Sequence, residues 1–205
     1  MKLYYAPGTI SIAVAIGLEE AGISYDPIKV DFASAQQTKP EYLATNPKGR
    51  VPALVLEDGT ILTETGALLD YIAALKPEAN LLPKRAELAA HARAVMYYMA
   101  STMHVAHAHK MRGSRWADRK ESFDDMTAKV PQTMRACAAF VEENAFRGDY
   151  VAGGSLSLAD PYLFVVCNWL EGDGVPLSDF PKIAAFMERM ETRPSVKAVR
   201  EKGLL

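Results

Sequence analysis

Cysteine is scarce in this sequence, and long apolar runs are missing. Two cysteines among 205 residues are too few to build a disulfide framework. No segment approaches the roughly 18 uninterrupted apolar residues expected of a membrane-spanning helix. Strand-like sequence directly follows Met1, where a secretory signal would have a charged region and then an apolar one. We therefore expect a soluble, cytoplasmic protein.

An excess of charge of either sign is also absent. The chain has 23 Lys and Arg against 25 Asp and Glu, a formal net charge of −2. Because nucleic acids and anionic membranes require a concentrated basic face, neither is expected as a partner. Hydrophobic residues make up 49% of the chain and charged residues 23%, which favours packed globular domains over disorder or a coiled coil.

The pattern of predicted strands and helices divides the chain into two parts. Residues 1–76 alternate β-like and helical segments in the order β-α-β-α-β-β-α, with the second strand expected at 28–32. Asp58-Gly59 between two apolar runs predicts a hairpin, and helices between strands imply a mixed sheet. Residues 77–83 have prolines near both ends and predict a linker. Residues 84–205 show only helical patterns, at 84–111, 120–145, 157–171 and 180–202, and predict an all-helical domain.

Five short motifs are spread over nearly the whole chain. They are Lys2-Leu3-Tyr4-Tyr5-x-Pro7-Gly8, Asn46-Pro47-Lys48-Gly49-Arg50-Val51-Pro52-Ala53-Leu54, Glu64-Thr65-x-Ala67-Leu68-Leu69-x-Tyr71-Ile72, Ser157-Leu158-Ala159-Asp160 and Arg193-Pro194-Ser195-Val196. In this order and spacing the chain resembles the glutathione transferases, most closely their bacterial beta class. The resemblance implies an α/β N-terminal thioredoxin-like domain that binds glutathione, an all-α helical bundle domain that forms the hydrophobic substrate pocket, and a homodimer.

The resemblance also assigns glutathione contacts to particular residues. It implies a cis peptide before Pro52, which turns the backbone N–H and C=O of Val51 towards the cysteinyl part of glutathione. It implies that Thr65 binds the γ-glutamyl carboxylate and that Glu64 binds the α-amino group, with Lys48 in the same site. A helix that begins here would offer free N–H donors and partial positive charge to the carboxylate. From the residues alone, a trans proline at a strand start and a simple capping turn remain alternatives.

Catalysis would require activation of the glutathione thiol. With an unperturbed pKa of about 8.5, only a few per cent is thiolate at neutral pH, so a fall of roughly two units is needed. A helix N-terminus contributes about 0.3–1 kcal/mol and a hydrogen bond to a charged group about 1.5–3 kcal/mol. We therefore expect one hydroxyl group to act together with the N-terminus of the helix that begins just after Gly8.

The sequence offers three candidate residues for this hydroxyl. The beta-class pattern has a Cys where this chain has Ile10, which cannot ionise or form a mixed disulfide with glutathione. Ser11 matches the serine that follows that Cys, Thr9 matches the catalytic Ser of theta- and delta-type relatives, and Tyr5 matches the catalytic Tyr of the alpha, mu and pi classes. Helix capping by Ser11 or Thr9, and core packing by Tyr5, are the alternatives that involve no catalysis.

No metal site is expected. His104 and His107 lie on one helix face, but a zinc site needs at least three protein ligands, and no cysteine or carboxylate lies nearby in the sequence. The resemblance instead assigns His104 to the lining of the glutathione cleft. Cys137 and Cys167 lie in apolar helical stretches and are expected to be buried and unreactive.

These observations predict a glutathione S-transferase that conjugates the glutathione thiolate to small hydrophobic electrophiles. A specialised glutathione-dependent isomerase, lyase, dehalogenase or peroxidase of the same fold is the first alternative. A non-catalytic ligand-binding or regulatory protein is the second. Val51, Pro52, Glu64 and Thr65 disfavour the second, because a scaffold need not keep an intact tripeptide site.

Overall fold

A computed structural model describes all residues, 1–205, and the chain begins with a four-stranded sheet. Its strands are β1 (Lys2–Tyr5), β2 (Asp26–Lys29), β3 (Ala53–Val55) and β4 (Ile61–Thr63). They lie side by side in the order β2-β1-β3-β4. β1 pairs in parallel with β2 and antiparallel with β3, and β3 pairs antiparallel with β4. The predicted mixed sheet is confirmed.

The predicted hairpin is also confirmed. The N–H of Leu56 donates to the carbonyl oxygen of Thr60 at 2.8 Å, which closes the turn between β3 and β4. Gly59 has a positive φ of 85°, a conformation that glycine adopts without a steric penalty.

The predicted position of the second strand is wrong by two to three residues. β2 covers Asp26–Lys29 instead of 28–32. Its partner β1 has four residues, and their register ends at the pair Tyr5 and Lys29. The Val30 N–H still donates to the carbonyl oxygen of Tyr5 at 2.8 Å, but β1 ends there, so the residues after Val30 have no neighbouring strand to extend the ladder.

Three helices accompany the sheet: α1 (Ser11–Glu20), α2 (Pro40–Leu43) and α3 (Thr65–Leu75). α1 connects the parallel strands β1 and β2 and is buried from Ser11 to Leu18, as expected of a helix that is apolar on all sides. Gly17 lets α1 and α3 approach closely, since a Cβ atom here would lie only 2.7 Å from Cδ2 of Leu69. This packing fixes the start of α1 relative to the start of α3.

The rest of the chain contains helices and no strand, as predicted. The helices are α4 (Ala86–Tyr98), α5 (His104–Ala108), α6 (Lys120–Asn144), α7 (Ala159–Cys167), α8 (Pro181–Glu191) and α9 (Pro194–Glu201). The helical stretch predicted at 180–202 is divided in two, because Pro194 has no N–H with which to continue α8 and instead occupies the first turn of α9. A π-helical segment, Met99–Met103, joins α4 to α5.

One apolar core extends through both parts of the chain. α7 is buried along its whole length and packs against α1, α3 and α4. Cys137 and Cys167 are buried and unbonded, as expected. None of the helices has the length and apolar character needed to cross a membrane. The predicted fold class, an α/β thioredoxin-like domain followed by an all-α domain, is confirmed.

Candidate functional site

Two adjoining cavities lie between the sheet-containing part and the helical part. The first has a volume of about 410 Å³ and is lined by the loop before β3, the start of α3 and the region from α4 to α5. The second, of about 880 Å³, is lined by the turn before α1, the loop before β3, α5 and the chain that follows α5. The residues common to both linings are Ile10, Lys48, Arg50, Val51, Ala100 and His104. A ligand in one cavity would therefore adjoin a ligand in the other.

The first cavity brings together every residue that the sequence assigned to glutathione binding: Lys48, Val51, Pro52, Glu64, Thr65 and His104. The peptide bond between Val51 and Pro52 is cis. Neither the N–H nor the C=O of Val51 has a hydrogen-bond partner within the protein. The loop before it is held in place, since the Tyr42 hydroxyl and the Asn46 amide each donate to the carbonyl oxygen of Arg50 at 2.6 Å. The unpaired backbone groups of Val51 can therefore serve an extended ligand.

The start of α3 combines an anion site with a carboxylate. The N–H groups of Thr65 and Gly66 have no acceptor in the protein, as usual for the first turn of a helix, and neither does the Thr65 hydroxyl. Glu64 directly precedes the helix with a positive φ of 72°, which is uncommon outside glycine, and strained residues of this kind cluster at active sites and ligand sites. Lys48 Nζ donates to Glu64 Oε1 at 2.6 Å and to Thr63 Oγ1 at 2.8 Å.

The three hydroxyl candidates occupy different environments. Tyr5 is buried in the core and lines neither cavity. Ser11 is also buried, and its hydroxyl donates to the carbonyl oxygen of Ala6 at 3.3 Å and accepts the Ala6 N–H at 3.2 Å. Thr9 lines the second cavity, and its Oγ1 lies 2.8 Å from the same carbonyl oxygen and 2.7 Å from Ser11 Oγ. Of the three, only Thr9 faces a cavity.

His104 is positioned by the π-helical segment. π-helical turns insert an extra residue into a helix and occur often at functional sites. Here the segment ends immediately before His104, which lines both cavities. Burial, together with the positive charges of Arg115 and Arg50 and the nearby His107, lowers the His104 pKa to about 4. The imidazole is therefore neutral at pH 7.

The contacts that Trp169 and His107 make at the second cavity were not found from the sequence. Trp169 stacks on His107 with ring centroids 4.2 Å apart, and its Nε1–H donates to the carbonyl oxygen of Gly8 at 3.0 Å. His107 Nδ1 lies 2.6 Å from Oδ2 of the buried Asp173. These partners are far apart in sequence and carry no motif, so no local signal could have revealed them. The structure contains no group of three or more His, Cys, Asp or Glu side chains that could hold a metal ion.

Comparisons with known proteins agree with the geometry. The family models for the N-terminal and C-terminal domains of glutathione S-transferase match residues 1–74 and 98–194. A glutathione transferase homolog from Sulfitobacter, crystallised with bound glutathione, is 66% identical over 100% of this chain and 98% of its own, with a TM-score of 0.99. The bacterial beta-class glutathione S-transferase of Sphingomonas chungbukensis is 32% identical over 100% of both chains, with a TM-score of 0.85. A maleylacetoacetate isomerase of Pseudomonas aeruginosa is 27% identical over 96% of this chain and 94% of its own. The chain belongs to the glutathione S-transferase family.

Proposed function

We propose that this protein is a glutathione S-transferase that conjugates the glutathione thiolate to small hydrophobic electrophiles. The observation that best supports this function is that one cavity combines a free helix N-terminus, a carboxylate and an unpaired peptide group. Glutathione offers a carboxylate, an ammonium group and a peptide backbone that match these three features. Membership of the family supports glutathione transferase activity in general.

The γ-glutamyl end of glutathione is proposed to bind at the start of α3. Its carboxylate accepts from the free N–H groups there and from the Thr65 hydroxyl, and its ammonium group donates to Glu64. Within the protein, Glu64 is paired with Lys48, and both side chains are substantially exposed. Because an exposed ion pair contributes only about 0–1 kcal/mol, replacing Lys48 by the ligand's ammonium group costs little.

The thiol is proposed to be activated at the turn before α1. Val51 pairs with the cysteinyl backbone, and Ile10, which lines both cavities together with Val51, has a backbone N–H without an internal acceptor. Thr9 supplies the hydroxyl donor by turning its O–H from the Ala6 carbonyl oxygen, to which it donates at 2.8 Å, towards the thiolate, while Ser11 can donate to Thr9 Oγ1 at 2.7 Å. With the N-terminus of α1, these donors are sufficient for the roughly 2.7 kcal/mol that a two-unit fall in pKa requires.

A glutathione-dependent isomerase is the second candidate. The specific observation in its favour is the similarity to a maleylacetoacetate isomerase over nearly the whole chain. The same thiolate would serve this reaction, since it can add to a substrate double bond and leave again after rotation. The two activities therefore differ in the fate of the adduct and not in the glutathione site.

Two measurements on the wild-type protein test the proposal. We expect retention on immobilised glutathione and glutathione-dependent turnover of 1-chloro-2,4-dinitrobenzene, a generic aromatic electrophile. Binding without turnover would exclude the general transferase and favour the specialised isomerase. Failure to bind glutathione would exclude both.

We also propose that the protein is a homodimer, as its family resemblance implies. The chain has a mass of 22.4 kDa. Light scattering coupled to size-exclusion chromatography should therefore give twice this mass, and a value equal to the chain mass would refute the dimer.

A further inference from the structure

The second cavity has an uneven distribution of charge. No aspartate or glutamate is among its lining residues, whereas Lys48, Arg50, Arg112 and Arg115 are. Apolar and aromatic side chains form much of the remaining wall, among them Phe32, Met111, Trp116 and Trp169. A chain whose formal net charge is −2 thus has a cavity whose lining is cationic and aromatic.

The three arginines of this cavity have no anionic partner. Neither Arg50, Arg112 nor Arg115 forms an ion pair. Six of the eight other arginines form ion pairs, for example Arg93 with Asp70 at 2.9 Å and Arg135 with Asp179 at 2.7 Å; the exceptions are Arg119 and Arg147. Each guanidinium group of the cavity therefore keeps its donors available for a ligand.

The nearby carboxylate of Asp173 already has two partners other than the arginines. Asp173 lies behind the cavity wall, is 1% exposed, and is shared by His107 Nδ1 at 2.6 Å and Lys110 Nζ at 3.2 Å. It therefore binds these two groups and not the arginines. Burial and the charges of Arg50 and Arg112 lower the pKa of Arg115, which indicates that the three cations repel one another without a counterion.

The arginines are carried by an ordered turn. The guanidinium of Arg112 lies over the ring of Phe32, 5.7 Å from its centroid. The N–H of Arg115 donates to the carbonyl oxygen of Arg112 at 2.9 Å. Between them, Gly113 packs so closely on Phe123 that a Cβ atom would lie 2.8 Å from its ring. The two side chains therefore extend from a backbone of fixed shape.

Arg112 and Arg115 line the second cavity only, whereas Glu64 and Thr65, which are proposed to bind the γ-glutamyl end of glutathione, line the first only. We propose that the acceptor substrate is an anionic electrophile, with an aromatic or extended apolar body against the aromatic wall and a carboxylate or similar group bound by Arg112 and Arg115. Guanidinium groups suit this role, because their planar donors bind a carboxylate in a bidentate manner. This inference rests on the proposed transferase function and specifies its substrate class.

A matched pair of acceptors tests the inference, namely 4-chloro-3-nitrobenzoate and the neutral 4-chloro-3-nitrobenzamide. In both, the thiolate supplies the electron pair of the new C–S bond, chloride leaves with the electrons of the C–Cl bond, and the thiol proton goes to solvent. Each kcat/KM is divided by the rate constant of the uncatalysed reaction with glutathione, which removes the difference in intrinsic reactivity. We expect the wild type to prefer the benzoate on this corrected scale.

Substitutions of the arginines test whether they cause the preference for the benzoate. Arg112→Gln and Arg115→Gln should each lower the corrected kcat/KM for the benzoate about tenfold, equivalent to about 1.4 kcal/mol, with little effect on the benzamide. Arg119→Gln removes the same charge from an exposed position outside both cavities and should change neither value. About 1 M NaCl, where the Debye length is about 3 Å, should reduce the preference of the wild type.

A binding measurement separates this inference from the proposed function. Nitroaromatic compounds quench tryptophan fluorescence, and Trp116 and Trp169 both line the cavity. Tighter binding of the benzoate that depends on Arg112 and Arg115 supports the inference even without turnover, in which case only the transferase function fails. Three results would overturn the inference. The two acceptors could bind equally well, or the arginine variants could lose the same corrected kcat/KM for the benzoate and the benzamide. The variants could also raise the KM for glutathione and leave the acceptor preference unchanged.

Discussion

At the residue scale, the hydroxyl groups of Thr9 and Ser11 both donate to one carbonyl oxygen, that of Ala6. Only Thr9 lines a cavity, so the two hydroxyls should contribute unequally to thiol activation. Thr9→Val should raise the pKa of the thiol of bound glutathione by about one unit. Loss of one donor to the thiolate costs about 1.5–3 kcal/mol, and stronger hydrogen bonds from the remaining donors offset part of this loss. Ser11→Ala should raise the pKa less. Thiolate absorbance measured against pH gives both values.

Thr133→Val provides the matched control for Thr9→Val. The Thr133 hydroxyl donates only to carbonyl groups of its own helix, and Thr133 lines neither cavity. Its removal should leave the pKa of bound glutathione unchanged. A larger shift from Ser11→Ala than from Thr9→Val would contradict the proposed order of the two hydroxyls.

His104 makes the stability of the protein depend on pH. Its pKa is about 4 in the folded protein against an ordinary value of 6.5. Between these values the unfolded chain binds more protons, so the free energy of unfolding decreases as the pH falls through this range. From about pH 7 to about pH 5 this contribution amounts to about 2 kcal/mol.

His104→Gln should remove this component, and urea unfolding of both proteins at the two pH values measures it. Asp160 acts in the opposite sense, because burial raises its pKa to about 6. Its contribution is common to both proteins and cancels in the comparison. If the variant lost as much stability on acidification as the wild type, His104 would not be the group responsible.

At the element scale, the start of α3 should bind both charged groups at the γ-glutamyl end of glutathione. Its free N–H groups bind the carboxylate, and the Glu64 side chain binds the ammonium group. Glu64→Gln should weaken glutathione binding about tenfold, because a hydrogen bond between two charged groups becomes one with a neutral amide. Glu57→Gln removes an equivalent charge from the exposed turn between β3 and β4 and should have no effect. Isothermal titration calorimetry with glutathione measures both affinities. Equal affinities for the Glu64 variant and the wild type would exclude Glu64 as the ammonium partner.

The elements themselves were largely predictable from local sequence. Asp58-Gly59 predicts its hairpin because a two-residue turn is determined by its own residues. The position of β2 was not predictable in the same way, since it depends on where β1 ends and not on the apolar run that contains it. The motif residues Val51, Pro52, Glu64 and Thr65 were found because they form short contiguous groups. Arg112 and Arg115 were not, because their significance lies in the absence of carboxylates from a cavity that only the folded chain creates.

At the scale of the whole molecule, several polar contacts hold the two parts of the chain together, among them the ion pair of Arg93 with Asp70. Near the site, the indole N–H of Trp169 donates to the carbonyl oxygen of Gly8. On the far side, Glu20 at the end of α1 accepts hydrogen bonds from Arg193 and Ser195 at the start of α9. This explains the Arg193-Pro194-Ser195 motif in physical terms, since Pro194 starts the helix while its two neighbours bind the carboxylate.

Glu20→Gln should therefore lower the free energy of unfolding of the whole chain by about 2 kcal/mol. Glu20 is largely buried and raises the pKa of Arg193, so its loss leaves a guanidinium group without its counterion. Glu191→Gln is the matched control, because Glu191 forms a similar pair with Arg200 but both side chains are exposed, and its loss should cost less than about 1 kcal/mol. Urea unfolding followed by tryptophan fluorescence and by far-ultraviolet circular dichroism measures both effects. Since one core joins the two parts, both probes should report a single transition in every variant, and equal losses for the two substitutions would contradict a special role for the Glu20 contact.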